Sequence, residues 1–305
     1  SVRIISMNMN NAGISGDHIN SIVSKGVVAI SQAGKEITQD DVDRAIENAQ
    51  AMALPANRKI LHVIPQEFKV DNLGDIPDPV GMNGVRLEVQ VYIITAALSA
   101  MENVAKSVER AGFSLLQTIL KPLACSYAVL KEDEKQLGVS LLDIGGGTAD
   151  ISMFWEDKIH FTGVVPLGGQ HITSDVAFGL RTPPEKAEEI KNSYGSLQIH
   201  QIRPDETIEV PGVGGRPAKT ISRSFLVDII RPRVIEILEH VRKEMEKSDM
   251  VDLMKVGAVI TGGTSLLQGL PELAEEILDM PVKIAQPSGM KGGLIEAVNS
   301  PVYST

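Results

Sequence analysis

A glycine turn between two apolar segments limits the folds open to this chain. The stretch LLDIGGGTADIS (141–152) places one aspartate, three glycines and a threonine after a run of apolar residues. Residues 149–154 then alternate small or polar with apolar side chains, which is typical of a strand. The turn therefore joins two strands, and its glycines let backbone N–H groups approach a phosphate because no Cβ intervenes.

Two familiar glycine loops fit this stretch poorly. A dinucleotide loop needs a helix after the glycines. A phosphate loop of the Walker type ends in a lysine and a hydroxyl, whereas Gly147 is followed by Thr148 and Ala149. An ordinary hairpin with an incidental aspartate stays open on this stretch alone. In the phosphate interpretation, Asp143 at the mouth of the turn faces a metal ion or its water.

A second glycine turn makes the first more specific. In GAVITGGT (257–264) a buried-type strand runs into Gly262 and Gly263, and a helix is predicted over Pro271–Leu278. The two turns lie about 120 residues apart, with a helix-rich segment between them. A pair of strand-to-glycine turns is a stronger indication of a nucleotide site than either turn alone.

Composition excludes several classes of protein. The 305 residues suffice for two domains, and the net charge of −10 argues against nucleic-acid binding, which needs a basic face. The single cysteine, Cys125, lies in an apolar run and excludes an internal disulfide. The six histidines show no zinc-site spacing. No apolar stretch is long enough for a membrane span, and the N-terminus shows no signal-peptide pattern. A soluble cytoplasmic protein is expected.

Periodicity and capping residues predict the other elements. Thr38 caps a helix that ends before Leu54–Pro55, and Gly112 closes a helix that contains Leu98–Val108. Strands are predicted over Lys59–Val70, interrupted by Pro65, and over Val85–Val91. The remaining predictions are a short helix around Ser126–Leu130, a charged turn at Lys131–Lys135, a helix over Glu185–Tyr194, turn-rich strands to about 220 and a long helix over Arg223–Lys247.

A series of strings along nearly the whole chain resembles the actin-like ATPase superfamily and, within it, the FtsA family of bacterial cell-division proteins. The strings are ISGDHI (14–19), LHVIPQEF (61–68), DPVGMNGVRLEV (78–89), LLDIGGGTADIS (141–152), TPPEKAEEIKNSYGSL (182–197), VPGVGGRP (210–217), IIRPR (229–233), ITGGTSLLQGL (260–270) and PVYST (301–305).

This resemblance implies an α/β fold: the two-domain actin-like, or ribonuclease H-like, fold with an inserted α+β subdomain 1C of the SHS2 type. The implied division is 1–92 for subdomain 1C, 93–137 for part of 1A, 138–183 with 255–297 for 2A, 184–254 for 2B, and 298–305 for a return to 1A. The family also has a phosphate-1 hairpin before 1C and a C-terminal amphipathic helix on the membrane. Neither is expected in this chain, since residues 1–11 do not resemble that hairpin and the chain stops at Thr305.

ATP and Mg²⁺ are the ligands that the resemblance implies. Gly145, Gly146, Gly147 and Thr148 would bind the phosphates, and Asp143 would orient magnesium or its water as the catalytic and metal-site residue. Gly168 and Gly169, before a helix expected to begin near Thr173, would offer amides at a helix N-terminus; a plain loop-to-helix joint is the alternative. Two further groups complete the implied site: Glu188 and Lys191, which would flank the ribose and adenine, and Gly262, Gly263 and Thr264, which would lie under the adenosine.

Structural alternatives remain for some of these residues. Glu188 and Lys191 are spaced as an ordinary salt bridge on an exposed helix. Some actin relatives carry an acid before the proline of PLA that positions the attacking water, but here Lys121 precedes Pro122. Lysine is a poor base at neutral pH, so at most slow ATP hydrolysis is expected.

The implied function is a cell-division filament that tethers FtsZ to the inner face of the membrane at the septum and recruits later divisome proteins through 1C. A basic side of the long helix, with Arg231, Arg233, Arg242 and Lys243, would bind the FtsZ tail in subdomain 2B; a solvated helix face is the alternative. Two other functions compete: a pilus-assembly adaptor of the PilM type, and an actin-like enzyme or chaperone ATPase, for which no sugar-kinase signature or peptide-binding domain is visible.

Overall fold

The computed structural model describes residues 4–5, 11–30, 36–51, 54–212, 217–288 and 300–304. The chain divides into two compact units. The first contains Ser1–Lys121 with Lys158–Thr162, and the second contains Pro122–Asp157 with Gly163–Thr305. Parts of several sequence predictions lie outside the described residues, namely those on 1–3, 6–10, 31–35, 52–53, 213–216, 289–299 and 305.

The first unit contains two sheets and two helices. Its elements are β1 (Ile4–Ile5), β2 (Asn11–Ile14), β3 (Ile19–Ala29), α1 (Gln39–Gln50), β4 (Arg58–Val70), β5 (Leu73–Ile76), β6 (Arg86–Ala97), α2 (Leu98–Arg110) and β7 (Gln117–Leu120). The larger sheet is antiparallel and has the order β3–β6–β4–β5. The smaller sheet has the order β1–β2–β7, in which β2 and β7 run parallel.

The predicted boundaries of α1 and α2 are confirmed. Thr38 and Asp41 form a reciprocal capping box, in which the Asp41 N–H donates to Thr38 Oγ1 at 3.3 Å and the Thr38 N–H donates to Asp41 Oδ2 at 2.9 Å. Gly112 follows α2 with a φ of +84° and donates its N–H to the Glu109 carbonyl oxygen at 2.9 Å. The residue types at these two helix ends therefore predicted the boundaries from local chemistry alone.

Two strand predictions are corrected. Pro65 does not interrupt β4, because the strand absorbs it at a register shift against β6 between Pro65 and Glu67. Proline lacks the N–H that a regular ladder requires, and such irregular positions tolerate it. The strand predicted to end at Val91 continues to Ala97, where five consecutive residues, 92–96, are buried on both faces of the sheet and show no alternation.

Helix α1 packs very closely on β3. Gly26 faces the helix, and a Cβ at this position would overlap the Ala45 carbonyl oxygen and lie 2.8 Å from the Ala49 nitrogen. The Ser24 hydroxyl donates to the Ala49 carbonyl oxygen at 2.7 Å. The core beneath this contact contains Val28, Val42, Ala45, Ala49, Leu87, Val89 and Val91. A glycine in β3 thus sets the distance between the helix and the sheet.

The second unit contains most of a five-stranded sheet, in the order β10 (Lys158–Val165), β9 (Ala149–Trp155), β8 (Val139–Ile144), β13 (Gly257–Thr261) and β14 (Val282–Ile284). Residues Lys158–Thr162 of β10 belong to the first unit. Strands β8 and β9 form an antiparallel hairpin, whereas β13 runs parallel to both β8 and β14. The elements are α3 (Lys121–Val129), α4 (Glu132–Leu137), β8 (Val139–Ile144), β9 (Ala149–Trp155), β10 (Lys158–Val165), α5 (Gly169–Leu180), α6 (Pro184–Tyr194), β11 (Thr207–Val210), β12 (Lys219–Ser222), α7 (Arg223–Met245), β13 (Gly257–Thr261), α8 (Leu270–Leu278) and β14 (Val282–Ile284).

Several helix limits in the second unit differ from the predictions. Helix α3 begins five residues before Ser126, and the charged turn at Lys131–Lys135 lies largely in helix α4. The Glu134 carboxylate accepts the Lys131 N–H at 3.0 Å, so acidic residues begin this helix where a turn was expected. No helix among the described residues is both long and apolar enough to cross a membrane. The subdomain boundaries within the two units stay predictions.

We expect Gly26→Ala to destabilise the first unit by about 2–3 kcal/mol, because the new methyl group must push α1 away from β3. Urea unfolding of parent and variant measures this loss. Gly13→Ala is the matched control, since Gly13 is also a strand glycine but its Cβ would meet only ordinary contacts, at 3.8 Å from Lys121 Cβ. Equal losses in the two variants would contradict the close packing of α1 on β3.

Candidate functional site

The two glycine turns lie side by side because the strands before them are neighbours. Strands β8 and β13 are parallel, and their register pairs Asp143 with Thr261. The turn that follows each strand therefore leaves the sheet at the same end, where both strands have their C-termini. Turns separated by more than a hundred positions in the sequence are brought together by one strand pairing, and the predicted strand–turn–strand hairpin is confirmed.

Asp143 lies behind the first turn rather than at its surface. Its side chain is buried, and its position on β8 is paired with Asp150 on β9. Gly262 has a φ of +88°, and a Cβ at this position would collide with Asp143 Oδ1 and lie 2.6 Å from the Ile144 carbonyl oxygen. The second turn therefore needs a glycine to approach the Asp143 carboxylate this closely.

The first turn exposes only part of its backbone. The Gly145 N–H donates to the Thr148 carbonyl oxygen at 2.9 Å and is used within the turn. Gly146 and Gly147 are exposed, and their N–H groups have no acceptor among the described residues. Thr148 is half-buried at the start of the return strand. Of the three predicted glycine donors, Gly146 and Gly147 are thus the two that face solvent.

Helix α5 is hydrogen-bonded directly to this turn. The Gly169 and Gln170 N–H groups donate to the Gly145 and Gly146 carbonyl oxygens at 2.9 and 2.8 Å. The Gly168 N–H donates to His171 Nδ1 at 3.1 Å. This corrects two expectations: the helix begins at Gly169 rather than near Thr173, and the amides of Gly168 and Gly169 are used within the protein instead of facing an anion.

The glycine at 168 serves close packing. A Cβ at this position would lie 2.6 Å from the Gly145 carbonyl oxygen and 2.7 Å from that of Gly146. The Thr264 hydroxyl also donates to the Gly145 carbonyl oxygen at 3.0 Å, which joins the second turn to the first. Two separate segments, the start of α5 and the second glycine turn, therefore hold the first turn in one position.

Glu188 and Lys191 belong to a network that reaches helix α5. Lys191 Nζ donates to Glu188 Oε2 at 2.7 Å, to Thr173 Oγ1 at 2.8 Å and to the Gly169 carbonyl oxygen at 3.1 Å. Burial opposes ionisation of Glu188, but hydrogen bonds from Lys191 and Thr173 outweigh it and hold the pKa of this carboxyl below its usual range. This pair is more than a salt bridge on an exposed helix, because only 12% of the Lys191 side chain is exposed.

A cleft of ≈ 1110 Å³ opens beside these groups in the second unit. The predicted residues that line it are Gly146, Gly169, Glu188, Lys191, Gly263 and Thr264. Asp143, Gly145, Gly147, Thr148, Gly168 and Gly262 lie in or behind the turns without lining the cleft. The structure therefore brings together residues from the hairpin, from α5 and α6, and from the second glycine turn.

Comparison with known families agrees with this geometry. The family described as "Cell division protein FtsA" matches residues 140–305, and the "SHS2 domain inserted in FTSA" matches residues 16–95. The cell division protein FtsA of Pseudomonas aeruginosa is 45% identical over 293 residues, which cover 96% of this chain and 70% of that protein. The Neisseria meningitidis protein is 45% identical with the same coverage, and the Escherichia coli protein is 38% identical over 299 residues.

The chain belongs to the FtsA family. It is thus a member of a cell-division family, with the actin-like fold and the SHS2 insertion that the sequence predicted.

Solved structures support the fold of this FtsA-family chain. MreB5 of Spiroplasma citri bound to AMPPNP has a TM-score of 0.54 and 21% identity, over 68% of this chain and 61% of that one. The PilM–PilN type IV pilus biogenesis complex has a TM-score of 0.59 and 19% identity, over 93% of this chain and 74% of that one. These similarities show the actin-like fold, and PilM is a structural neighbour.

Several residues that line the cleft were missed by sequence reasoning. Gln170 follows the glycine pair, Thr173 bonds to Lys191, and the Asn192 side chain donates to Glu188 Oε1 at 3.2 Å. Asn192 lies one helical turn after Glu188, so its spacing was a usable signal. The apolar part of the cleft wall is formed by Leu266, Leu267 and Val302. No local pattern in the sequence distinguished these residues from core residues.

The four basic residues of α7 do not form one side of the helix, which corrects the sequence prediction. Arg233 points towards α5 and donates to Asp175 Oδ2 at 2.6 Å, a hydrogen bond that raises the pKa of its guanidinium. Arg242 points towards α8, where it donates to the Ile277 carbonyl oxygen at 3.1 Å. Arg231 is half-buried and Lys243 is exposed.

Arg242 also borders a second cavity, of ≈ 410 Å³. Its lining combines Met245, Met254 and Met280 with a charged rim. The rim contains Arg242 and Lys255 together with Glu246, Asp252 and Asp279. Three unbranched methionine side chains give an adaptable apolar floor. Of the four basic residues, Arg242 is therefore the one that lines this second cavity.

We expect Gly262→Ala to destabilise the second unit by about 2 kcal/mol or more, since alanine resists a positive φ and its methyl group would meet the Asp143 carboxylate. Thermal unfolding measures the loss. Gly263→Ala is the neighbouring control, because its Cβ would meet only Val302 Cγ2 at 3.9 Å. A stable Gly262→Ala variant would mean that the two turns are less close than described.

Proposed function

We propose that this FtsA-family chain binds ATP with Mg²⁺, polymerises, and tethers FtsZ filaments to the cytoplasmic membrane at the division septum. The observation that carries the nucleotide part is the cleft in the second unit. Its wall joins Gly146 of the hairpin, the Glu188–Lys191 pair and the second glycine turn, which are distant in sequence. Two solved structures of one actin-like neighbour, MreB5 of Spiroplasma citri, are bound to ADP and to AMPPNP, which supports the same proposal.

The groups around the cleft fit a nucleoside triphosphate. Its volume, ≈ 1110 Å³, is slightly above the range of about 300–1,000 Å³ that is usual for ligand sites. The exposed N–H group of Gly146 in the cleft wall, with that of Gly147 next to it in the turn, suits phosphate oxygens. The Glu188 carboxylate suits ribose hydroxyls. Leu266 and Leu267 supply apolar surface for a base.

Asp143 would supply a single carboxylate to a magnesium site. No group of three or more His, Cys, Asp or Glu side chains suited to a metal ion occurs among the described residues. Mg²⁺ commonly uses one or two carboxylates together with phosphate oxygens and water, so the buried Asp143 would act on a water of the ion. The ion would neutralise phosphate charge. Hydrolysis would be slow, because Lys121 stands where some relatives carry an acid.

We expect Lys191→Ala to weaken MgATP binding at least tenfold, about 1.4 kcal/mol, because it removes a cation from the cleft and leaves Glu188 without its main partner. Isothermal titration calorimetry measures the affinity. Lys186→Ala is the matched control: Lys186 lies on the same helix, pairs with Glu189 and does not line the cleft. No MgATP binding by the parent, or equal affinity in the two variants, would count against this nucleotide site.

The second cavity is the site that we propose for the FtsZ tail. A peptide with apolar anchors between acidic residues would place the anchors on the methionine floor and the acids near Arg242 and Lys255. Lys243 adds a further exposed cation nearby in the sequence. Arg233 does not line this cavity and is paired with Asp175, whereas Arg242 lines it and forms a half-exposed pair with Glu246 at 3.0 Å.

We expect the double variant Arg242→Glu, Lys243→Glu to weaken binding of an FtsZ tail peptide at least tenfold, about 1.4 kcal/mol, with a smaller effect at high salt. Fluorescence anisotropy at low and high salt measures this. A double variant Lys186→Glu, Lys219→Glu changes the net charge equally on other exposed positions. Unchanged affinity in the α7 variant at low salt would make these residues a solvated helix face.

Self-association and the membrane complete the proposal. Head-to-tail contacts between identical subunits generate open filaments when the rotation does not close. The proposal places later divisome proteins at subdomain 1C and the membrane contact in a C-terminal amphipathic helix. A PilM-type adaptor has the same fold but a different peptide partner, and failure of the parent chain to bind the FtsZ tail would favour that alternative.

A further inference from the structure

Strand β3 is an edge strand of unusual length. It runs for 11 residues at one end of the sheet order β3–β6–β4–β5, and among the described residues no strand pairs with its outer side. Globular proteins usually keep such edges short or cover them, because an open edge is a template for another chain. The length of β3 therefore calls for a physical explanation.

The hydrogen-bond alternation of β3 identifies the backbone groups on the open edge. At its two ends, the Ala97 N–H donates to the His18 carbonyl oxygen at 3.1 Å, and the Ile30 N–H donates to that of Val85 at 2.9 Å. In an antiparallel pair every second residue bonds to the partner, so the even-numbered residues of β3 bond to β6. The odd-numbered residues, from Ser21 to Ala29, direct their N–H and C=O groups outward.

One of these outward groups already has a partner. The Asn48 side chain on α1 donates to the Val27 carbonyl oxygen at 3.0 Å, which confirms that this carbonyl points away from β6. The groups of Ser21, Val23 and Lys25 have no such cover within the described part of the chain. An added strand could therefore bond along this stretch and end near Asn48.

The side chains of the same odd-numbered residues form a row with a clear chemical pattern. Val23 is 54% exposed and Val27 is 42% exposed, and the exposed Lys25 lies between them. The residue opposite Lys25 on β6 is Gln90, which does not neutralise it. A strand that paired with this edge would put three consecutive same-face side chains opposite a valine, a lysine and a valine.

A second copy of β3 fits this row poorly. Antiparallel self-pairing that places Val23 opposite Val27 of the copy is centred on Lys25, so two lysines would face each other. Like charges directly opposite each other destabilise a strand pair. In this register, which aligns the two valines, Lys25 therefore disfavours a copy of this chain and favours a strand that carries a carboxylate.

We propose that β3 accepts an extended segment of another protein as a fifth strand, with an aspartate or glutamate opposite Lys25 and apolar residues opposite Val23 and Val27. Main-chain hydrogen bonds would supply affinity, and the alternate side chains would supply specificity. The proposal does not depend on nucleotide or FtsZ binding, because both of those sites lie in the second unit.

The probe is a fluorescein-labelled peptide, Thr-Thr-Val-Thr-Glu-Thr-Val-Thr-Thr, titrated with the 305-residue chain and followed by anisotropy. We expect saturable binding that Lys25→Glu weakens about fivefold. A second peptide with lysine in place of the central glutamate should show the reverse preference and bind the Lys25→Glu variant more tightly than the parent. Such a charge swap distinguishes a direct pair from a general loss of stability.

A backbone variant provides the second test. Val23→Pro removes one outward N–H without touching the β3–β6 ladder, and edge strands tolerate proline. Val23→Thr keeps that N–H and replaces the valine side chain with a β-branched side chain of similar size. We expect the proline variant to bind the glutamate peptide about tenfold more weakly than the threonine variant, with circular dichroism spectra unchanged.

Three results would overturn the proposal. The first is no saturable binding of the glutamate peptide to the parent chain. The second is equal affinity of the proline and threonine variants, or no reversal of peptide preference in the Lys25→Glu variant. The third is a dimer of the parent in sedimentation velocity that Val23→Pro converts to monomer, which would assign the edge to a second copy of this chain.

Discussion

The parallel pairing of β8 with β13 is the constraint on which the cleft depends. It brings two glycine turns to the same end of the sheet, where Thr261 is aligned with Asp143. A slip of one residue would turn the side chains of one strand to the opposite face and separate Gly262 from the Asp143 carboxylate. The local sequence of each turn is thus necessary for the site, but the register of the sheet assembles it.

The same pairing explains why several glycines in this region serve packing more than ligand access. The carbonyl oxygens of Gly145 and Gly146 accept hydrogen bonds from the start of α5, and Thr264 adds a third bond from the second turn. These contacts consume donors that a sequence motif would assign to phosphate. In return they fix the turn, so that the exposed N–H groups of Gly146 and Gly147 are held in place before any ligand arrives. Preorganisation of this kind reduces the cost of binding.

Sequence reasoning succeeded where a structure is decided by residues close in the chain. The capping box at Thr38, the glycine after α2 and the two strand-to-glycine turns are local, and the structure contains all of them. It failed where a distant partner decides. Helix α5 begins at Gly169 because Gly145 and Gly146 accept its first N–H groups, and β4 retains Pro65 because β6 accommodates the register shift.

The basic residues of α7 are a different kind of failure, because the spacing already contained the answer. A helix turns by roughly 100° per residue, so Arg231 and Arg233 are about 200° apart and cannot share a side. The prediction of one basic side used the charges of these residues but not their angular positions around the helix axis. The packing of α7 between α5 and α8 then separates Arg233, which is bound to Asp175, from Arg242, which lies beside the second cavity.

The two edge strands of the first unit's main sheet, β5 and β3, differ in how readily each could pair with an added strand. At one edge β5 has only four residues, and the register shifts between Phe68 and Val70 where β4 meets it. Asp75 within β5 has a φ of +55°, which departs from regular strand geometry. A short, irregular edge resists the addition of another strand. At the other edge β3 pairs with β6 without a register shift over 11 residues, so the same sheet is closed to strand addition on one side and regular enough to accept it on the other.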